Sequence, residues 1–324
     1  MIGLSPFPTC RVQRGHQGLR SCVVRASKTI KLSLAVIVLL AACGDSKATE
    51  STVALKPKIT ISSTSDPTSV MLAEIYGQAL EKAQFRVARK KAFDTPEALY
   101  ADMQSGGVQL TGATTQALYS WLQSQSGSTD ALPTTTALQT AAISKGLPAT
   151  LKLGATSTAE DKDVIFCSAT FTQANTLVTL TDLSTKPETA TLAAPDGFDT
   201  ATPLGAAALK DLYQIQFKSV VPTAADKIID AVTAGTADCG VGRSADPALA
   251  PVTFTVLEDD KSLVPNNVML PLITTSAASA DVLAVVDATS ARLTAGQLRS
   301  LMQRLKDGAS PELAANEFTG NAGS

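Results

Sequence analysis

The feature that most limits the fold of this chain is an alternation of short apolar segments with amphipathic segments from residue 58 onward. In the first unit, residues 59–61 (Ile-Thr-Ile) predict a strand, Asp66 can cap a helix, and Pro67 suits the first helical position. Apolar residues then follow at helical spacing as far as Leu80. Strands that alternate with helices are typical of a mainly parallel sheet with helical crossovers, so the sequence predicts an α/β fold.

The first 42 residues form a segment of a different kind, with six basic residues and no acidic ones. Residues 32–42 are an uncharged run, too short to cross roughly 30 Å of hydrocarbon as a helix but suited to the core of a signal peptide. The run ends in Leu-Ala-Ala-Cys43-Gly, which resembles the lipobox of bacterial lipoproteins. We therefore predict a lipoprotein signal peptide over residues 1–42, lipidation of Cys43, and anchoring outside the cytoplasmic membrane. An ordinary secretory cleavage site beside an incidental cysteine is the alternative.

Residues 43–57 are small and polar at their start, which predicts a flexible tether between the anchor and the body.

The whole chain has 27 basic and 29 acidic residues, and six of the bases lie in the leader. The remainder therefore carries 27 − 6 = 21 bases against 29 acids, a net charge of about −8. Such a body lacks the basic surface of a nucleic-acid binder, and we expect no nucleic acid among its partners.

The body also lacks the residues of the common catalytic and metal sites. The one histidine, His16, lies in the leader, which excludes Ser–His–Asp and Cys–His catalysis and histidine metal ligands from the body. The acidic run at residues 258–260 predicts a solvated turn rather than acid–base machinery. We expect no enzyme activity, no cofactor and no metal.

Two cysteines remain in the body, Cys167 and Cys239. An isolated pair in an exported protein most simply forms one disulfide, so we predict that these two residues are bonded. Two buried free thiols, packed as small apolar side chains, are the alternative.

Several stretches of the body together resemble one family. They are residues 59–63 with 72–81, residues 98–110, residues 231–238, and residues 256–271. In this order they are similar to the substrate-binding lipoproteins of osmoprotectant (glycine betaine, choline and carnitine-type) ABC importers, over roughly residues 58–320. The resemblance implies a two-lobe type II periplasmic-binding-protein fold with a cleft between the lobes. Lobe 1 would comprise residues 58–160 plus 259–324, and lobe 2 residues 161–258.

The same resemblance implies a function and a set of partners. We expect an extracytoplasmic receptor that binds a small compatible-solute-like molecule and delivers it to an ABC permease with its ATPase. We expect a monomer. The alternative is a surface lipoprotein that kept the fold but has a sensory or assembly role.

Ligands of such folds bind between the lobes, where strand ends and helix N-termini meet. The predicted ligand-binding residues on lobe 1, or on the return to it, are Thr64, Ser65, Asp66, Thr114, Thr115, Gln116, Asn266 and Asn267. Those on lobe 2 are Phe198, Thr200, Thr202, Arg243 and Ser244.

Three of these positions depart from the family pattern. Members that bind quaternary ammonium groups surround the cation with aromatic rings. Here Thr114 and Asn267 stand where aromatic residues are usual, and Ala201 or Thr202 stands where an arginine usually meets the ligand carboxylate. We therefore expect a more polar cleft, in which Arg243 contacts a polar or anionic group of the ligand. A solvated Arg243 at the rim is the alternative.

Overall fold

A computed structural model describes residues 56–186, 188–249 and 253–320 and arranges them around two five-stranded sheets. The strands of the first sheet are β1 (Lys58–Ile61), β2 (Arg86–Arg89), β3 (Leu110–Thr114), β4 (Leu151–Leu153) and β10 (Met269–Thr274), in the order β2-β1-β3-β10-β4. The strands of the second are β5 (Asp163–Ser168), β6 (Thr191–Ala194), β7 (Ser219–Pro222), β8 (Cys239–Arg243) and β9 (Phe254–Val256), in the order β7-β6-β8-β5-β9. Lobe 1 and lobe 2 are the layers built on these two sheets.

Helices cover both sheets. Those in the first part of the chain are α1 (Pro67–Lys82), α2 (Pro96–Gln104), α3 (Thr115–Ser126) and α4 (Thr136–Gly146). Those that follow β5 are α5 (Ala169–Asn175), α6 (Leu180–Ser184), α7 (Ala206–Tyr213) and α8 (Ile228–Thr233). After β10 come α9 (Ala280–Arg292), α10 (Ala295–Lys306) and α11 (Pro311–Gly320). Helices α9 and α11 pack against α1, so the C-terminal segment completes lobe 1.

The first unit forms as its sequence predicts. The Asp66 side chain accepts a hydrogen bond from the Ser69 backbone N–H at 3.0 Å, and Pro67 is the first residue of α1. Because the N–H groups of a first helical turn have no partner within the helix, such a cap stabilises the helix by roughly 1 kcal/mol. Tyr76 of α1 is fully buried against the first sheet, and Ile75 is fully buried in a neighbouring cluster that includes residues of α10 and α11.

Both sheets are mixed, because one strand in each is inverted. Strands β2-β1-β3 and β7-β6-β8 are parallel, as predicted. Strand β10, however, runs antiparallel to β3 and β4, and β5 runs antiparallel to β8 and β9. Each inverted strand is the first strand of its sheet after the chain has passed from one lobe to the other.

Strand β10 is not among the strands that the sequence predicts, and Pro271 lies in its middle. Proline cannot donate a ladder hydrogen bond and is uncommon inside a sheet. Here the backbone nitrogen of Pro271, which carries no hydrogen, faces the end of β4. On the same side, the Pro271 carbonyl accepts a hydrogen bond from Gly154 N at 2.9 Å. On its other side, β10 pairs with β3, and Pro271 lies opposite Gly112. Gly112 lets α1 approach the sheet closely, because a Cβ atom on residue 112 would lie only 2.4 Å from the Cβ atom of Leu72 in α1.

Cys167 and Cys239 form a disulfide in the structure. They are directly opposite each other in the antiparallel β5–β8 pair, and both are fully buried in the lobe 2 core. The bond therefore joins the inverted strand of lobe 2 to its neighbour.

The predicted signal peptide, Cys43 and residues 43–55 of the predicted tether lie outside the described residues. Among the helices that the structure describes, none combines the length and the apolar character needed to cross a membrane. The lobe boundaries given above remain predictions.

Candidate functional site

Two stretches of chain join the lobes, and they lie side by side. The first crossing is residues 160–162, which lead into β5, and the second crossing is residues 257–268, which lead into β10. Asp161 N donates to the Asn267 carbonyl at 3.1 Å, and Asn267 Nδ2 donates to the Asp161 carbonyl at 3.0 Å. The two crossings are therefore hydrogen-bonded to each other where they join lobe 1 to lobe 2.

A cavity of about 320 Å³ lies between the lobes, next to the crossings. It is referred to below as the cleft cavity, and its walls come from lobe 1, lobe 2 and both crossings. Its lining residues are Gln116, Ala131, Leu132, Lys162, Asp163, Thr202, Pro203, Arg243, Val264 and Pro265. None of these residues is aromatic, so the cavity lacks the rings that would surround a quaternary ammonium group.

Arg243 is the principal cation of the cleft cavity, and it is held by two carboxylates. Its Nη1 lies 3.0 Å from Asp163 Oδ1 and its Nη2 lies 3.0 Å from Asp161 Oδ2. Burial alone would lower the pKa of Arg243, but the hydrogen bonds and negative charge of Asp161, followed by those of Asp163, raise it above its usual value. The arginine therefore stays charged and ties the end of β8 to the start of β5.

Lys162 is the second cation of the cleft cavity and is largely buried. Its Nζ donates to Asn266 Oδ1 at 3.0 Å and lies 3.2 Å from Glu160 Oε1. Because Asn266 belongs to the second crossing, Lys162 links the two crossings through side chains as well as through the backbone. A polar lining of this kind can hydrogen-bond a small polar solute.

Comparison with known proteins agrees with this arrangement. A family model described as "Substrate binding domain of ABC-type glycine betaine transport system" (OpuAC) matches residues 57–321. This chain belongs to that family. Its members bind the solute for an ABC transporter, and a solute-binding role in ABC transport follows for this chain.

Solved structures show the same two-lobe fold at low sequence identity. A glycine betaine/carnitine/choline ABC transporter structure has 15% identity and a TM-score of 0.70, with 82% of this chain and 97% of that chain covered. Apo YehZ from Escherichia coli has 18% identity and a TM-score of 0.70, with 82% and 99% covered. At such identities these likenesses establish the fold. No curated protein matches the chain.

The structure distributes the predicted site residues of this family member over three cavities. Gln116, Thr202 and Arg243 line the cleft cavity. Ser244 and Asn266 line a second cavity, described below. Thr64, Asp66 and Thr114 line a pocket of about 180 Å³ on lobe 1, where the Asp66 and Thr114 side chains cap α1 and α3. Ser65 and Thr200 are exposed and line none of the three.

Three predicted ligand residues are buried within the protein, and their role as ligand contacts stays a prediction. Phe198 is only 3% exposed, because its 3₁₀ turn directs the ring into the lobe 2 core. The Thr115 hydroxyl accepts from Val268 N at 3.3 Å and is fully buried. Asn267 Oδ1 accepts from Gln116 N at 3.1 Å, so Thr115 and Asn267 fasten the start of α3 to the second crossing.

The prediction of a solvated turn at residues 258–260 was wrong for Asp259. Its carboxylate accepts from Leu263 N at 2.9 Å, from Val264 N at 2.7 Å and from the Tyr213 hydroxyl at 2.5 Å. The neighbouring Asp260 accepts from the Thr181 hydroxyl at 2.5 Å. Both aspartates therefore attach the second crossing to lobe 2 helices.

Sequence reasoning missed the first crossing as a source of site residues. Lys162 and Asp163 line the cleft cavity, and Asp161 holds Arg243. The run Glu160-Asp161-Lys162-Asp163, directly before the apolar strand β5, is the signal that could have indicated them. Pro265, in the second crossing, was noted only as part of the resemblance.

Proposed function

We propose that this chain is the lipid-anchored, extracytoplasmic receptor of an ABC importer, that its solute binds in the cleft cavity, and that it delivers the solute to the permease. The observation that carries the proposal is that both lobes and both crossings contribute walls to one cavity. Hinged lobes that share a ligand bury it when they close, and closure also gives the protein a shape that a partner can recognise. The predicted signal peptide and Cys43 support the location.

In this proposal, the solute is either a member of the glycine betaine and choline class or a more polar relative of it. The lining of the cleft cavity favours a more polar relative. Gln116 supplies an amide from lobe 1, and Thr202 supplies a hydroxyl from lobe 2. Arg243 and Lys162 add positive charge, although both are held by carboxylates. Hydrogen bonds from these groups suit a small solute with hydroxyl, amide or carboxylate groups.

Calorimetry of the full chain with glycine betaine, choline, carnitine and proline tests the ligand class. We expect the solutes that carry a carboxylate to bind more tightly than choline. Gln116→Ala should weaken binding by up to about tenfold, because it removes one side-chain hydrogen-bonding group from the cavity. Gln125→Ala is the matched control, since Gln125 lies on the same helix outside the cleft cavity and should leave binding unchanged.

Choline binding as tight as that of glycine betaine and insensitive to Gln116→Ala would contradict the polar cleft. If none of the four solutes binds, and solution scattering detects no compaction with any of them, the sensory or assembly role becomes the better explanation.

The anchor has its own test. Mass spectrometry of the N-terminal peptide, after expression of the full chain in a bacterial host, should find a diacylglyceryl group on Cys43. An unmodified Cys43, or processing at another bond, would contradict the lipid anchor.

A further inference from the structure

A second cavity, of about 420 Å³, lies at the crossings and is larger than the cleft cavity. Its walls include Ala295 and Arg299 of α10 on lobe 1, and Leu257 and Glu258 at the lobe 2 end of the second crossing. It is referred to below as the hinge cavity. It shares Lys162, Asp163 and Val264 with the cleft cavity, but none of the other lining residues of the cleft cavity takes part in it.

Most of the charged side chains that line the hinge cavity already have partners. Glu160 pairs with Lys162 and Asp163 with Arg243. The carboxylate of Asp259 is occupied by the two backbone N–H groups and the tyrosine hydroxyl described above. These groups need no ligand to be satisfied.

Two charges of opposite sign remain on the wall. Within the described part of the chain, Arg299 makes no ion pair, and its guanidinium donates only one long bond, from Nη1 to the Ser244 carbonyl at 3.3 Å. The Glu258 side chain has no hydrogen bond or ion pair among the same residues, while its backbone bonds to Val178 and Leu180. A partly buried guanidinium with free donors favours a carboxylate, which it can bind in a bidentate manner.

The wall also has an apolar part. Leu180, Leu204 and Leu257 line the cavity and are nearly fully buried. A sphere with the volume of the hinge cavity is about 9 Å across, which is the size of a small organic ligand rather than of an ion or a single water molecule. A ligand that fits this wall has an apolar body and carries charge at its ends.

We propose that the hinge cavity is a second binding site, which takes a zwitterionic solute whose carboxylate and ammonium groups are separated by an apolar chain. The carboxylate binds Arg299, the ammonium group binds Glu258, and the chain lies against the leucines. This binding step is independent of the proposed function of the cleft.

Such a ligand would connect the lobes, because Arg299 belongs to α10 on lobe 1 and Glu258 to the lobe 2 end of the second crossing. A ligand that contacts both lobes binds one relative arrangement of them better than another and shifts the population toward it. If the cleft binds its solute as proposed above, the two sites are coupled, and each ligand changes the affinity for the other by the same factor.

Calorimetry of the full chain with 6-aminohexanoate tests the site, with hexanoate and hexylamine as probes that each lack one charge. We expect saturable binding of 6-aminohexanoate and at least about tenfold weaker binding of the two singly charged probes. Arg299→Gln and Glu258→Gln should each weaken 6-aminohexanoate binding by about tenfold or more. Arg304→Gln is the matched control, because Arg304 lies on the same helix but pairs with Glu317 away from the cavity.

Ala295→Leu provides a second variant, which narrows the cavity without removing a charge and should weaken 6-aminohexanoate binding even if a charge variant fails to fold. Absence of saturable binding to the full chain overturns the proposal. So does equal affinity for hexanoate and 6-aminohexanoate, or an affinity that Arg299→Gln, Glu258→Gln and Ala295→Leu leave unchanged. A loss of 6-aminohexanoate binding in Gln116→Ala alone would place the probe in the cleft cavity and would also overturn it.

Discussion

Replacement of both Cys167 and Cys239 by alanine should lower the free energy of unfolding by about 4 kcal/mol. The two residues are 72 positions apart in the chain, and their bond closes a loop that contains most of lobe 2. In the chain-entropy description, a cross-link that closes a long loop restricts the unfolded state and so stabilises the folded one. Denaturant unfolding of the oxidised wild type and of the double variant measures the difference.

Two controls separate the bond from the packing of its residues. The wild type unfolded under reducing conditions should lose a similar amount of stability, since it keeps both sulfur atoms but lacks the bond. Thiol titration of the unfolded, unreduced body should detect no thiol from either residue. A stability loss below about 1 kcal/mol, or two free thiols, would show that the bond does not have this role.

Asp259→Ala should destabilise the protein by about 3 kcal/mol, because it leaves two backbone N–H groups in the second crossing without an acceptor. One of them belongs to Val264, which is buried, and the other to Leu263. The change also removes the acceptor of the Tyr213 hydroxyl. Burial, and after it the hydrogen bond to Asp259, raises the pKa of Tyr213, so this hydroxyl stays protonated and donates at neutral pH.

Thermal and denaturant unfolding measure this loss. Asp199→Ala is the matched control, since Asp199 is an exposed aspartate of lobe 2 whose side chain accepts no hydrogen bond from the described residues, and it should change stability by less than about 0.5 kcal/mol. Tyr213→Phe should cost less than Asp259→Ala, because the backbone N–H groups keep their acceptor. Equal losses in Asp259→Ala and Asp199→Ala would show that the acidic run is a solvated turn after all.

Local sequence signals predicted the local structure well. Asp66 and Pro67 marked the start of α1, because capping depends only on residues within one helical turn. The strand β10 escaped detection, because its place in the sheet depends on distant partners. Pro271 is tolerated there because its missing N–H faces the end of β4 and because Gly154, which has no side chain, leaves room for the proline ring.

The site was harder to predict than the fold, because a position near the cleft does not determine where a side chain points. Asn266 and Asn267 are neighbours in the second crossing, yet Asn266 lines the hinge cavity and Asn267 is buried against the first crossing and α3. Arg243 lines the cleft cavity as expected for a ligand contact, but its ion pairs with Asp161 and Asp163, at and just before the start of β5, were not predicted. The direction of a side chain and its competing partners are set by the packing of segments far apart in sequence.

The place of β10 in the first sheet has a consequence for biogenesis. Strand β4 pairs with β10 and with no other named strand, and β10 also separates it from β3, so this half of the sheet stays incomplete until residue 274 has been made. The five strands of lobe 2, by contrast, all come from one uninterrupted stretch, residues 163–256. Because synthesis starts at the N-terminus, all five strands of lobe 2 have been made before the last strand of lobe 1. Lobe 1 begins first in the sequence, but it should be the last to reach its final form.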